Sequence, residues 1–211
     1  ASSVTLKGMS GLTATIHSPE GDFALELPLP GLYNLYNALG AIATARQLGI
    51  PVADAVASLA SMKAVFGRVE RIEVGDVTLS ILLIKNPAGA NEVIRTLSLE
   101  PAPIDLWIAL NDRIADGRDV SWILDADFEM LAERLDRGTC TGTRASELAL
   151  RLKYAGWPAE KTAVVDDPEV ALDQALATAD GQLFALPTYT ALLDLRNLLA
   201  DRGNTERYWE G

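Results

Sequence analysis

Ile104-Asp105-Leu106-Trp107-Ile108-Ala109-Leu110 runs directly into Asn111-Asp112-Arg113-Ile114-Ala115-Asp116-Gly117-Arg118-Asp119-Val120-Ser121-Trp122-Ile123-Leu124-Asp125-Ala126-Asp127-Phe128-Glu129. The apolar run reads as a buried parallel strand. The polar residues after it then emerge at the strand's carboxyl end, where open α/β sheets carry their sites. Five Asp, one Glu and two Arg crowd into residues 111–129. On composition this is a solvated acidic loop ahead of a helix that starts near Asp127. Trp122, flanked by Val120 and Ile123, argues that the loop is anchored, because a purely solvated loop has no use for a large apolar side chain.

Working outward, the pattern from Arg68 to the end alternates strands and helices. Val69–Val74 and Val77–Ile84 flank a Gly75-Asp76 turn, and Leu79–Ile84 is apolar enough to be buried on both faces. Helices are predicted at Ala90–Leu97, Phe128–Arg137, Ala145–Ala155, Pro168–Ala177 and Tyr189–Ala200. Strands are predicted at Ile104–Leu110, Thr139–Thr141, Thr162–Val165 and Leu183–Leu186. Repeated βα units imply a mainly parallel sheet covered on both faces, a Rossmann-like α/β domain over 66–211. Residues 1–65 differ. Strands at Val4–Lys7, Leu12–His17 and Phe23–Leu27 form an antiparallel meander, followed by helices at Leu32–Leu48 and Val52–Met62, the second with Pro51 at its first turn. This set makes a poor domain alone and reads as the tail of a larger one. The start, Ala1-Ser2-Ser3-Val4, is no natural initiator, so the chain is expected to be part of something longer or a processed form.

Composition excludes several classes. With 211 residues, 49% of them hydrophobic, the chain can bury a proper core. A formal charge of −11 argues against nucleic acid and anionic membranes, which need Lys and Arg in excess. No apolar run approaches ~20 residues and no signal-peptide pattern opens the chain, so no transmembrane segment and a cytoplasmic location are expected. There is no Gly-Lys-Ser/Thr phosphate loop and no Gly-x-Gly-x-x-Gly after a strand. Asn86-Pro87-Ala88-Gly89-Ala90-Asn91 lies at a strand-to-helix junction, where backbone N–H groups could meet an anion or simply make a βα turn. Cys140 and His17 are the only Cys and His, and they fall in different regions. A Cys-His pair within the chain is therefore not expected, with His17 read as a surface residue and Cys140 as a small core residue. If the acidic loop supports nucleophilic catalysis, the Cys and His must come from a partner.

Gly31-Leu32-Tyr33-Asn34-Leu35-Tyr36-Asn37-Ala38-Leu39-Gly40-Ala41 resembles the Mur-ligase signature near the end of the ATP-binding central domain. Asn34 and Asn37 share one face of the first helical turn, and an amide can both donate to and accept from an adenine edge. The same residues can equally be helix caps. Phe66-Gly67-Arg68-Val69-Glu70 resembles the Mur-ligase junction between central and C-terminal domains, whose Arg reaches the nucleotide. A guanidinium there can hold a phosphate bidentately or pair with a nearby Glu.

A closer resemblance is to the MurT family, the Mur-ligase-like subunits of lipid II isoglutaminyl synthase. It rests on Pro30–Asn37, on Phe66–Arg71 with Lys85-Asn86-Pro87-Ala88-Gly89, on Asp116–Glu129, and on Tyr189-Thr190-Ala191-Leu192-Leu193. The resemblance implies an ATP-dependent, glutamine-hydrolysing carbon-nitrogen ligase of peptidoglycan synthesis that works as a heterodimer with GatD, a glutamine amidotransferase subunit holding the Cys and His of a glutaminase. It implies amidation of the α-carboxyl of D-glutamate in the lipid II stem peptide. The Asp completing the glutaminase triad maps by the Asp-x-Ser-Trp pattern onto Asp119, with Asp125 as second choice, and nucleotide contacts map onto Asn37, Asn34 and Arg68. The family's phosphate loop, catalytic acidic residues and four-Cys zinc ribbon lie upstream of the matched region. ATP and Mg²⁺ therefore belong to the full-length protein, no metal site is assigned to this segment, and the segment alone is expected to be inactive. Lys85-Asn86 stands where Mur ligases place an acidic residue near the ribose, and Leu124 where the family has Trp in the anchor. By the resemblance, 1–65 is the C-terminal part of a Mur ligase central domain and 66–211 a MurT-type C-terminal domain. Two other readings stay open: the C-terminal domain of an amino-acid-adding Mur ligase, with no glutamine dependence, and a non-catalytic binding module.

Overall fold

The computed structural model describes residues 1–62, 68–101 and 103–206. The chain falls into two compact units, the first comprising the described residues among 1–64 and 95–100, the second those among 65–94 and 101–211.

In the first unit, strands β1 (Ser2–Leu6), β2 (Leu12–Ser18) and β3 (Gly21–Leu27) form an antiparallel meander in that order. Alternation decides which face is buried. Leu12, Ala14 and Ile16 of β2 and Leu25 and Leu27 of β3 point one way. They meet Leu35, Ala38 and Ile42 of helix α1 (Leu32–Gln47) and Val52 and Val56 of α2 (Val52–Ala60) in one apolar cluster. Relative to expectation β1 starts two residues earlier and ends one earlier, β2 ends one later and β3 starts two earlier. His17 is exposed, as predicted, with Asp22 at 2.8 Å from its Nδ1.

The second unit is built on six strands, β4 (Arg68–Val74), β5 (Val77–Leu82), β6 (Ile104–Ala109), β7 (Leu135–Thr141), β8 (Thr162–Val164) and β9 (Gln182–Pro187). Their order is β4-β5-β9-β6-β7-β8. β4 pairs antiparallel with β5 through the Gly75-Asp76 turn, and every other pairing is parallel. All six residues of β6 are buried, Asp105 together with the apolar run that starts at Leu106. Helix α3 spans Pro87–Leu97, α4 Ala145–Tyr154, α5 Pro168–Thr178 and α6 Tyr189–Asp201. α5 and α6 cover the sheet face lined by Leu79, Ile81, Trp107, Ala109, Leu183 and Ala185. α4 packs on β7 and β8. Asp167 caps α5 by accepting from the N–H groups of Glu169 and Val170, with Pro168 at the first helical position.

Two expectations need correction. α3 begins at Pro87, three residues before the predicted start, because the Asn86 side chain accepts from Gly89 N–H at 2.8 Å and caps the helix there. The helix predicted over 128–137 is instead a 3-10 segment, Phe128–Arg134, running straight into β7 at Leu135 rather than Thr139. Phe128 and Leu131, both fully buried, line up at the three-residue repeat of that helix type. Leu135 and Arg137 are then taken by the ladder to β6, opposite Ile104 and Asp105.

Candidate functional site: the acidic loop at the carboxyl edge of the sheet

The loop after β6 is held at its base by one amide. Asn111 is buried. Its backbone N–H donates to Thr188 Oγ1 at 3.0 Å, its Nδ2 to Thr190 Oγ1 at 2.9 Å, and its Oδ1 accepts from Thr143 N–H at 3.0 Å. One residue, through its backbone and its side chain, thus ties together the carboxyl ends of β6, β7 and β9. The approach is possible because residue 142 is glycine at φ +96°, where a Cβ would lie 2.6 Å from Leu110 O and 2.8 Å from Asn111 Oδ1. Thr190 Oγ1 in turn donates to Asp116 at 2.6 Å, whose carboxylate also accepts from Thr190 N–H at 2.7 Å in the first turn of α6. Asp112 accepts from Thr143 Oγ1 at 2.9 Å and Arg144 at 3.2 Å, and these two partners, Thr143 first, lower its pKa.

Further along, the loop folds as a 3-10 turn, Ser121–Asp125, followed by the Phe128–Arg134 segment. Arg151, reaching out from α4 and itself buried, fastens both. Its Nε donates to Ile123 O at 3.0 Å, and one terminal nitrogen donates to Ala126 O at 2.7 Å and to Glu129 at 2.9 Å. The guanidinium also lies 5.7 Å from the Phe128 ring centroid. Trp157 Nε1 donates to Phe128 O at 3.0 Å. On the other side Asn91 of α3 donates to Asp125 O at 3.2 Å and accepts from Asp127 N–H at 2.7 Å. An anchored loop was the expectation, but the anchor is different. Ile123, Ala126 and Phe128 are the buried side chains, Trp122 is half-buried, and Leu124 is 67% exposed and anchors nothing.

Asp119 sits where this scaffold leaves a carboxylate in solvent. Its Oδ1 accepts from Ser121 N–H at 2.8 Å, an Asx turn. That bond, followed by the Ser121 hydroxyl, holds its carboxyl below the usual range. An ionised, oriented and accessible carboxylate can accept a hydrogen bond from an N–H donor presented by another molecule. Asp125 is exposed six positions on, and among the described residues its carboxylate accepts no hydrogen bond. Asn34 and Asn37 belong to the first unit. Asn34 is buried and spends its Nδ2 on Pro30 O at 2.7 Å, whereas Asn37 is exposed and reaches Asn34 Oδ1 only at 3.5 Å. Of the two, Asn37 has the more exposed amide. Arg68 opens β4 opposite Leu82, and its side chain, with Phe66 and Gly67, lies outside the described residues.

Cys140 is fully buried in β7, and burial pushes its thiol up to about 12. Its proton is therefore kept in the folded state, with the associated stability lost only as pH rises past the ordinary thiol range. At pH 8 the thiolate fraction is about one in ten thousand. Iodoacetamide is expected to leave the native chain unmodified for hours at that pH and to alkylate it within minutes in urea. Rapid native labelling, followed by mass spectrometry, would contradict a buried, non-nucleophilic cysteine.

Comparison with known proteins places this geometry. The family model described as MurT ligase C-terminal matches residues 83–192, more than half of the chain. Among curated proteins, the chain is 42% identical over 181 residues to the lipid II isoglutaminyl synthase (glutamine-hydrolyzing) subunit MurT of Streptococcus pneumoniae, covering 83% of this chain and 40% of the relative. It is 35% identical over 173 residues to the same subunit of Staphylococcus aureus (strain COL), covering 81% and 39%. The chain thus spans about 40% of the length of these relatives. Among solved structures, MurF from Acinetobacter baumannii superposes with a TM-score of 0.73 at 22% identity, covering 95% of this chain and 44% of that one. A Mycobacterium tuberculosis folylpolyglutamate synthase gives 0.65 at 20%, covering 92% and 46%. These distant structures establish the Mur-ligase-like α/β fold, and the family match goes further: the chain belongs to the MurT ligase C-terminal family.

Proposed function

We propose that this chain is part of the MurT subunit of a lipid II isoglutaminyl synthase, with 1–65 the end of the ATP-binding central domain and 66–211 the C-terminal domain. The complete enzyme amidates the α-carboxyl of D-glutamate in the stem peptide of lipid II. ATP activates that carboxylate as an acyl phosphate, and ammonia released from glutamine by a GatD-type glutaminase subunit displaces the phosphate. This part docks the glutaminase and lends it Asp119. The observation that carries the reading is an ionised, exposed Asp119 held by Ser121 on an anchored loop, in a chain whose Cys140 is buried and whose His17 lies in the other unit. Asn37 fits the adenine edge of a nucleotide. The ligands for Mg²⁺ and for a zinc ribbon are assigned to the part of the protein upstream of this segment, and the segment alone is inactive.

The test is reconstitution. Full-length protein and the glutaminase subunit, purified separately, are expected to release little glutamate from glutamine. Mixed, they form a stoichiometric complex in which glutamine hydrolysis rises by at least about a hundredfold. ATP-dependent amidation by the complex with glutamine as nitrogen donor completes the result. Amidation or amino-acid addition that ignores the glutaminase subunit would overturn it.

A further inference from the structure

Among the described residues Val69 is the only β-branched one with a left-handed backbone, at φ +68°. A branched Cβ crowds the carbonyl oxygen in that region, which makes the conformation an outlier for valine. Strain of this kind persists only where the surroundings impose it, and it collects at working sites. Here it coincides with a slip in the sheet. From Glu70 to Val74 β4 pairs with β5 in one register, Glu70 opposite Ile81. Carried back two residues, that register would set residue 68 opposite Leu83, yet it stands opposite Leu82. A bulge at the buried Val69 takes up the difference. Because a slip of one residue exchanges the two faces of a strand, this bulge decides how Arg68 is set on the sheet.

The residue on the far side of the bulge is held by a buried cation. Glu70 accepts from a terminal nitrogen of Arg196, on α6, and the two side chains are 20% and 7% exposed. The same guanidinium donates to Thr205 Oγ1 at 3.2 Å and to Glu206 O at 3.1 Å, so the chain after α6 is clasped to β4 with it. Stability does not account for the pair. Burial pushes the Glu70 carboxyl up and outweighs the opposite pull of Arg196, and apolar residues of the same size commonly stabilise a fold as well as a buried ion pair does. What the pair fixes is a position, since Glu70 cannot slide along β5 while Arg196 holds it.

We infer that Glu70 and Arg196 are positioning residues for nucleotide binding: they lock the Val69 bulge and with it the register from which Arg68 meets the phosphates. The inference rests on the assignment of Arg68 as a nucleotide contact, which it deepens. Without the pair, β4 relaxes toward the register that sets residue 68 opposite Leu83, and Val69 recovers an ordinary strand conformation. Glu70 and Arg196 act through Arg68 and not on the nucleotide itself.

The experiment uses the full-length protein and measures the dissociation constant of a non-hydrolysable ATP analogue with Mg²⁺ by calorimetry, beside the melting temperature. Glu70→Leu together with Arg196→Met exchanges the pair for apolar side chains. This double variant is expected to bind the analogue about tenfold more weakly, as Arg68→Ala does, while Tm moves by less than about 3 °C. Adding Arg68→Ala to it should weaken binding no further, because both changes act on one contact. Adding Val69→Gly to it instead should restore most of the affinity, because glycine takes φ +68° without strain and keeps the bulge unaided. A pair that served packing alone would not be rescued in this way. Arg196→Lys, which keeps the charge and gives up the fork, should lose about threefold, and it decides the matter if the double variant does not fold. Unchanged affinity in the folded double variant, or in Arg196→Lys, with a loss in Arg68→Ala refutes the positioning role and leaves Arg68 as a nucleotide contact. A second loss of the same size when Arg68→Ala is added, or no recovery with Val69→Gly, overturns it as well. If Arg68→Ala alone leaves binding unchanged, the nucleotide role of Arg68 fails and the inference fails with it.

Discussion

Glutamine hydrolysis by the reconstituted complex is expected to fall by about two to four orders of magnitude in the Asp119→Asn variant, on the scale of removing the acid from a nucleophile-His-acid triad. In such a triad the carboxylate accepts from one imidazole nitrogen, so that the other faces the nucleophile with its lone pair, and it stabilises the ring once charged. An amide in the same place can present its NH₂ to the ring and favour the wrong tautomer. The substitution is informative because it spares the loop. The oxygen of the new amide can still accept from Ser121 N–H, the bond that Asp119 makes at 2.8 Å, so the complex should form with unchanged affinity. Because Ser121 holds the Asp119 carboxyl below its usual range, this group stays ionised through the working pH window. Its own protonation removes activity only in acid well below neutrality. Ammonium chloride supplied to the Asp119→Asn complex should restore amidation in part, since only ammonia supply is damaged. Full glutaminase activity in Asp119→Asn with its loss in Asp125→Asn would move the role six residues along the loop. Activity retained in both would end the triad assignment.

The largest expected effect on stability comes from Arg151. Changing it to Met keeps the aliphatic bulk and removes the hydrogen bonds to Ile123 O, Ala126 O and Glu129. Glu129, 56% exposed, returns to water at little cost. The two carbonyls each lose one bond but keep a backbone donor, Ala126 N–H at 3.4 Å on Ile123 O and Phe128 N–H at 2.9 Å on Ala126 O, so the loss is about 2 kcal/mol together. For a chain of this size that corresponds to a fall in Tm of about 6 °C. Glu129→Gln should shift Tm by less than about 2 °C, since an exposed ion pair is worth little. Thermal unfolding followed by circular dichroism separates the two. Equal, small shifts would mean that the loop is held by something other than the Arg151 clasp.

Much of the sheet is legible in the sequence, because burial on both faces leaves an unmistakable run such as Leu106-Trp107-Ile108-Ala109-Leu110. The segment after Asp127 shows where local pattern misleads. Phe128, Leu131 and Leu135 are spaced like one face of an α-helix, yet the first two lie on a 3-10 segment and the third is drawn into the ladder opposite Ile104. Trp122 stands out as an anchor by its size, whereas the turn that forms points Ile123 inward and leaves Trp122 half-buried. Arg151 carries a signal that sequence reasoning passed over. Ala145, Leu148 and Leu152 define the inner stripe of α4, and residue 151 lies on it. The Asn111 network is not legible, because its partners Thr188 and Thr190 lie 77 and 79 positions away with nothing local to signal them. Asp119 can be picked from five aspartates only by its resemblance to a family motif. Composition and spacing favour none of the five.

The place of β9 in the sheet has a consequence for how the protein is made. In chain order it is the last of the described strands, yet it lies between β5 and β6, which otherwise share no edge. Until residues 182–187 emerge, the nascent domain is two separate pieces of sheet, each with an unpaired inner edge and a partly uncovered apolar face. Long-range parallel pairing of this kind is slow and leaves the chain open to aggregation while it waits. The same late arrival brings Thr188 and Thr190, which fasten the base of the acidic loop through Asn111 and Asp116. Synthesis therefore enforces an order: the base of the acidic loop is fastened only after β9 has closed the sheet, so a half-made chain does not carry that loop in its finished form.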